Sequence, residues 1–262
     1  MRHAVSMLIY NRNPEQLELT KEALESVLVQ DVGGLDIFLI NNGSDEETVA
    51  WLKGFENNTD SPHWFYISHH EKNQSPVLLS NKYLETIFAT HPYVLSLAND
   101  VVIPPNMYSE MLKWPRGFVT ASATGEKNFP VFGTSKAVSE CTPMSVMLAR
   151  KWAYDALMAK DGYYLDPKYF LYASDCDMAL RMAACGIRGI QIDIQFWHYC
   201  SAHWRLMPPE EGSKETAKAD ADRSTFESKW GFRVDSPRYG ESTNDINFRG
   251  VIPNFVRQER RV

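Results

Sequence analysis

Residues 4–30 read AVSMLIYNRNPEQLELTKEALESVLVQ, and this stretch decides the fold. Ala4 to Tyr10 is apolar almost throughout, as in a strand whose two faces are both covered. Pro14 follows. Over Gln16 to Gln30, Leu17, Leu19, Ala23, Leu24, Val27 and Leu28 recur at helical spacing. A buried strand feeding straight into an amphipathic helix is half of a strand-helix-strand unit, so the question is whether the pattern repeats.

It does. Gly33-Gly34 breaks the helix, and Leu35 to Ile40 (LDIFLI) reads as a second strand. Asn41-Asn42-Gly43-Ser44 is a turn, since Asn and Gly tolerate positive φ. Ser44 or Asp45 can cap a helix running to about Asn57, with Glu47 favourably placed in its first turn. Trp64 to Ser68 predicts a third strand, Pro76 to Thr90 a helix, and Tyr93 to Leu97 a fourth strand ending at Ala98-Asn99-Asp100. Strand and helix in alternation predict an α/β fold with a mostly parallel central sheet and helices on both faces. Ligands bind such sheets outside the carboxyl ends of the strands, so Asn11, Asn41 to Ser44 and Asn99-Asp100 should share one rim.

Past Asp100 the alternation decays. Residues 106–114 read as a helix, Phe118 to Ala123 as a strand and Met144 to Ala149 as a buried strand. Lys151 to Lys160 reads as a helix and Gly189 to Ile194 as a strand. Gly125 to Pro143 is rich in Gly, Pro, Ser and Thr and reads as a loop or lid, while residues 208–222 are simply polar and acidic. One domain over 1–232 is expected, with 1–100 binding nucleotide and 101–232 serving acceptor and catalysis, then an extension over 233–262.

Composition narrows the function. The chain has 262 residues, 44% hydrophobic and 23% charged, which suits one large folded domain. A net charge of -6 gives no support for non-specific binding to nucleic acid or membrane. The four cysteines, at 141, 176, 185 and 200, form no C-x-x-C pair, so reduced, mostly buried thiols are expected rather than a zinc site. The apolar run at Ala4 is broken by Asn11 to Pro14, too early for a secretion signal, and no window approaches the ~20 apolar residues of a membrane span. A cytoplasmic protein is expected. The phosphate-binding glycine patterns G-x-G-x-x-G and G-x-x-x-x-G-K-[ST] are absent, as is the G-x-S-x-G elbow, which lowers the dehydrogenase, kinase and hydrolase readings.

Two places carry candidate chemistry. Asp100 ends a buried strand, where a carboxylate either closes a turn or holds Mg²⁺ or Mn²⁺ beside a phosphate. The stretch Tyr163 to Arg181, YYLDPKYFLYASDCDMALR, sets five aromatics ahead of Asp175 and Asp177. Asp177 is spaced for a capping box with Ser174 and for a pair with Arg181. Asp175, beside the aromatics, is the better general base. His198 follows a strand and is either packed or a metal ligand, with His203 as a rival. Trp197, Trp204 and Tyr172 can stack on a sugar ring or a base.

In their order and spacing these segments resemble the GT-A glycosyltransferases of family 2, inverting enzymes that use nucleotide sugars. SMLIYNRNPEQLELTKEALESVLVQ is similar to the family's first strand and helix, and LDIFLINNGSDEET to its second strand and D-N-G-S turn. NKYL at Asn81 resembles an N-x-G position, YVLSLANDVVIPPNMYSEML the D-x-D segment, and SVMLARKWAYDALMAKDGYYLDPKYFLYASDCDMALRMAACGIR the region of the E-D pair. FESKWG resembles a K-W-G segment of some relatives. The resemblance implies a GT-A (Rossmann-like) fold with a smaller C-terminal acceptor-side region. It implies that Tyr10, Asn11, Arg12, Asn41, Asn42, Asn81, Asn99 and Asp100 bind the nucleotide sugar, and that Asp100 and His198 hold Mn²⁺ or Mg²⁺. It makes Asp175 the catalytic base, with Tyr172, Ser174, Trp197 and Trp204 on the acceptor side. The implied donor is a uridine or deoxythymidine diphosphate sugar. The acceptor is a saccharide hydroxyl or, further down the ranking, a modified DNA base. Three positions depart from the pattern: Asn41 replaces Asp, Ala98 the first acid of D-x-D, and Ser174 the Glu before Asp175. A sugar nucleotidyltransferase, sharing a similar parallel sheet, and a non-catalytic nucleotide- or sugar-binding module are the rival readings.

Overall fold

The computed structural model describes residues 2–56, 61–124, 137–139, 145–199 and 205–239. Its first half is four parallel strands with helices between them. They are β1 (His3–Ile9), α1 (Pro14–Leu28), β2 (Leu35–Asn42), α2 (Glu46–Lys53), β3 (Trp64–His70), α3 (Pro76–Phe88) and β4 (Tyr93–Ala98). Then come β5 (Val101–Val102), α4 (Met107–Leu112), β6 (Phe118–Thr124), β7 (Ala137–Ser139), β8 (Val146–Arg150), α5 (Lys151–Asp161), α6 (Ser174–Ala184), β9 (Gly189–His198) and α7 (Pro209–Trp230).

The strands join in one sheet in the order β3-β2-β1-β4-β8-β6-β9-β5, with β7 paired to β9. β1 pairs in parallel with both β2 and β4, so the chain's first strand lies inside the sheet. Beyond β4 the sheet is mixed: β8 runs antiparallel to β4 and β6, and β9 runs parallel to β6. The expectation of a mostly parallel sheet therefore holds for β1 to β4 and gives way to a mixed half. β1 sits where the strand order reverses, the place where sheets of this kind leave a crevice outside their carboxyl ends.

Burial explains the strand sequences. Val5, Met7, Ile37, Leu39 and Leu95 face one apolar layer with Ala23, Leu24 and Val27 of α1. Ala4, Phe38 and Val94 face another with Leu84 and Phe88 of α3 and Tyr154 of α5. A third cluster, Tyr169, Cys176, Leu180 and Phe226, fastens α7 to α6. The buried Cys176 and half-buried Cys185 are free thiols; Cys141 and Cys200 lie outside the described residues. No helix among the described residues is long and apolar enough to cross a membrane.

Three elements differ from the sequence expectation. β7 falls inside the stretch read as a loop or lid, most of which lies outside the described residues. α6 begins at Ser174, so Asp175 sits within its first turn, whereas the sequence pattern predicts a helix over residues 177–185 with Asp175 ahead of it. α7 occupies the polar stretch for which no element was expected. The signal was faint but present: its buried residues Glu215, Ala219, Asp222 and Phe226 are spaced as one helical face.

Candidate active site

The carboxyl ends of β1, β2 and β4 open onto a cavity of about 600 Å³. Its floor is the sheet surface at Ser6, Leu8, Ser96 and Met147, and its rim includes Tyr10, Asn42, Asn99 and Asp100. Phe170, Leu171 and Tyr172 wall one side, and Glu215 and Arg223 of α7 close over it.

Asp100 and His198 meet on this rim. β5 pairs antiparallel with β9, setting Val101 opposite His198, and the Tyr199 N–H donates to the Asp100 carbonyl at 3.1 Å. The side chains follow: His198 Nε2 lies 3.3 Å from Asp100 Oδ1. Ser145 Oγ is 3.3 Å from the other ring nitrogen, Nδ1. An imidazole nitrogen and a carboxylate oxygen on one cavity edge make a donor pair suited to Mn²⁺ or Mg²⁺, with phosphate and water left to complete the shell. Among the described residues no group of three His, Cys, Asp or Glu could hold a metal.

The Asn-rich turns are held by their own amides. Asn11 is fully buried, and its Oδ1 accepts from Thr20 Oγ1 at 3.1 Å and Asn99 Nδ2 at 3.1 Å. Asn42 ties the turn after β2 to the loop before α3, donating to Asn73 Oδ1 at 2.8 Å and accepting from Gln74 N–H at 2.8 Å. Gly43 makes that approach possible: its φ is +80°, and a Cβ there would stand 2.6 Å from the Asn73 nitrogen.

The expected nucleotide-sugar contacts therefore sort into two groups. Tyr10, Asn42, Asn99 and Asp100 line the cavity. Asn11, Arg12, Asn41 and Asn81 are not among its lining residues. The Asn41 amide accepts from Ser44 N–H at 3.0 Å and lies 3.1 Å from His69 Nδ1. Asn81 holds both backbone groups of Leu165, at 2.7 and 2.8 Å. Arg12 reaches Glu211 at 3.4 Å, outside the cavity.

The stretch around Asp175 is anchored by residues the sequence reading passed over. Asp222 of α7 is buried and accepts the backbone N–H groups of Phe170, Leu171 and Tyr172 at 2.8, 2.9 and 2.8 Å. Ser75 Oγ donates to the Phe170 carbonyl at 2.9 Å from the other side. Next, Ala173 takes a left-handed conformation at φ 56°, rare for a residue with a Cβ and usually kept only where function or packing demands it. Ser174 Oγ turns back to the Leu171 carbonyl at 2.6 Å, so the expected capping box does not form. Asp177 N–H instead donates to the Ala173 carbonyl.

Asp177 is fully buried and receives Arg181 Nε at 2.7 Å, Lys229 Nζ at 2.9 Å and Trp230 Nε1 at 2.9 Å. It is a structural carboxylate joining α6 to the end of α7. Asp175, two residues earlier, is only half-buried and accepts from Cys176 N–H at 2.8 Å. Neither Asp175 nor Ser174 is among the cavity's lining residues, whereas Tyr172 is. Burial pushes the Tyr172 phenol up to about 12, with the Glu215 carboxylate adding to the effect. Burial likewise raises Tyr10, with Glu211 reinforcing it. Trp197 faces Tyr199 edge-on, with ring centroids 5.7 Å apart. Trp204 and His203 lie outside the described residues.

The fold has known counterparts. Residues 1–349 of TarS from S. aureus superpose with a TM-score of 0.52 at 13% identity, over 93% of this chain and 77% of that one. A further crystal structure of the same segment holds UDP-GlcNAc. The mannosyltransferase PcManGT from Pyrobaculum calidifontis, solved with GDP-Man and Mn²⁺, gives a TM-score of 0.55 at 14% identity over 84% of this chain and 69% of that one. The fold is thus that of the GT-A glycosyltransferases. Residues 5–116 match the sequence model of the family described as Glycosyl transferase family 2, and the chain is a glycosyltransferase. Among curated proteins no sequence relative is found.

Proposed function

We propose that the chain is a metal-dependent inverting glycosyltransferase that moves a sugar from a nucleoside diphosphate to an acceptor hydroxyl. One observation carries the reading: Asp100 and His198 converge at 3.3 Å on the rim of a single cavity outside the carboxyl ends of the parallel strands. Tyr10 on the same rim offers a phenol to the nucleotide, and the Asn42 and Asn99 amides hold the turns that shape the rim. TarS with UDP-GlcNAc and PcManGT with GDP-Man and Mn²⁺ support a nucleotide-sugar donor and a divalent cation. A uridine or deoxythymidine diphosphate sugar is the donor proposed here, and a saccharide the acceptor.

Asp175 takes the acceptor's proton. The freed oxygen forms a bond to the anomeric carbon on the face opposite the diphosphate, and the bond from that carbon to the phosphate oxygen breaks, its electron pair leaving with the nucleotide. Bound at Asp100 and His198, Mn²⁺ or Mg²⁺ would neutralise charge growing on the departing diphosphate. The half-buried position of Asp175, two residues after the left-handed Ala173, supports its role. Asp177, which receives Arg181, Lys229, Trp230 and the Tyr169 hydroxyl, has no capacity for it.

The test is thermal stabilisation with a panel of nucleotide sugars, with and without MnCl₂, followed by the anomeric configuration of the product by NMR. Stabilisation by a nucleotide sugar only with metal, and a product of inverted configuration, are expected. Retention, or metal-indifferent binding, would overturn the proposal.

A further inference from the structure

Two carboxylates line the cavity among the described residues, and only Asp100 belongs to the rim built by the parallel strands. The other is Glu215, on the wall supplied by α7. Its placement is unusual for this helix. α7 is polar over most of its length, yet Glu215 falls in line with Ala219, Asp222 and Phe226 on the buried face. Glu215 is 9% exposed. Lys218 Nζ takes its Oε1 at 2.6 Å, and among the described residues no hydrogen bond is made by Oε2. Glu215 Oε2 is open to the cavity rather than sealed in the core, so it can accept from a donor that enters there.

Its surroundings say what kind of donor. The charge of Glu215 is felt by both cavity tyrosines, Tyr10 from the strand side and Tyr172 from the aromatic loop. Arg223, two turns further along α7, lines the same wall. Met207 and Leu171 add apolar surface beside them. An acceptor oxygen, a guanidinium and phenol rings around an apolar patch match a sugar ring, which presents hydroxyl donors at its edge and C–H groups on its face. A phosphate is repelled by this carboxylate, whereas a ring hydroxyl donates to it.

Resting on the glycosyltransferase reading, we infer that Glu215, with Tyr172 and Arg223, forms a sugar-ring subsite in which Glu215 accepts a hydrogen bond from a ring hydroxyl. The ring belongs to the donor's sugar or to the saccharide acceptor, and the two sources are separable. The probes are UDP-GlcNAc, GDP-mannose and the bare diphosphates UDP and GDP with MnCl₂, titrated by calorimetry. Glucose, GlcNAc and mannose methyl glycosides are titrated onto the UDP-loaded protein. The variants are Glu215→Gln, which keeps the shape of the side chain, and Lys218→Ala, which removes the pair and the contact of Lys218 with the Phe170 ring while leaving every lining residue in place.

If the ring is the donor's, wild type binds a nucleotide sugar more tightly than its diphosphate, and Glu215→Gln erases that margin by about tenfold or more while the diphosphate Kd holds. If it is the acceptor's, the margin persists and binding of a methyl glycoside weakens about tenfold instead. Either result supports the subsite, provided that Lys218→Ala changes sugar affinity less than Glu215→Gln and the melting temperature of Glu215→Gln stays within a few degrees of wild type. Unchanged affinity for every sugar-bearing probe in Glu215→Gln overturns it. Failure of wild type to bind any diphosphate with metal would sink the glycosyltransferase reading instead.

Discussion

Asp100 and His198 come from opposite halves of the chain, yet His198 Nε2 lies 3.3 Å from Asp100 Oδ1. The antiparallel pairing of β5 with β9 fixes this meeting, so it is a property of the backbone rather than of two mobile side chains. Ser145 Oγ, 3.3 Å from Nδ1, orients the ring from behind. Three variants should therefore fall in rank order in calorimetric titrations of UDP or GDP with MnCl₂. Asp100→Ala should abolish metal-dependent binding, His198→Ala should weaken it strongly, and Ser145→Ala should weaken it by about tenfold. Equal, metal-independent affinity in all three would remove the pair from the binding of the diphosphate.

Asp175 and Asp177 separate chemistry from architecture. Asp175→Asn should leave melting temperature and diphosphate binding near wild type and cut transfer by about 10²- to 10⁴-fold, the usual worth of a general base. Asp177→Asn leaves Arg181 and Lys229 facing a neutral amide in a buried place, and should cost about 3 to 5 kcal/mol of stability. The measurements are transfer rate and denaturant unfolding on the same preparations. A folded, inactive Asp177→Asn beside a fully active Asp175→Asn would reverse the assignment.

Asp222 joins α7 to the aromatic wall through three backbone N–H groups, of Phe170, Leu171 and Tyr172. Hydrogen bonds to a charged acceptor are the strong kind, and an amide oxygen cannot serve all three. Asp222→Asn should cost about 2 kcal/mol, and Asp222→Ala more. Hydrogen exchange should show faster opening of those three amides in Asp222→Asn than of the β1 amides, which the sheet protects. Uniform loss of protection would mean that Asp222 stabilises the whole fold rather than this loop.

The parallel half was legible because its inner strands β1, β2 and β4 are largely buried and carry apolar runs, such as LDIFLI before Asn41. Strand ends then located Asp100 and Asn99 without further information. α7 was not legible because most of its surface faces water, leaving four buried positions as the only periodic signal. β7 lies in a stretch whose Gly, Pro, Ser and Thr content points to a loop, though Ala137 and Ser139 pair with β9. The Asn residues are ambiguous in sequence for a chemical reason. An amide that can hydrogen-bond a ligand can equally hold a backbone, and in Asn81 it holds both groups of Leu165. Nothing in the sequence distinguishes the two uses.

His63 gives a prediction about pH. Its Nδ1 accepts the Leu35 N–H at 3.2 Å, and Nε2 lies 3.1 Å from the Leu28 carbonyl, so the fold calls for the neutral ring with its proton on Nε2. Burial lowers its pKa from the ordinary imidazole value, against the Leu28 carbonyl and with help from Arg2. Because the folded pKa lies below the unfolded one, near 6.5, the unfolded chain binds the proton more readily. Above about pH 6.5 the site costs nothing; as pH falls below it toward the folded value, stability is lost. Burial lowers His3 and His70 in the same direction, so the whole chain should melt earlier at pH 5 than at pH 8, both values bracketing the ordinary imidazole pKa of about 6.5. His63→Gln offers Leu35 an oxygen and Leu28 an N–H without titrating. Its melting temperature should therefore fall less steeply with acidification than that of wild type, and parallel slopes would show that His63 contributes nothing to the acid limb.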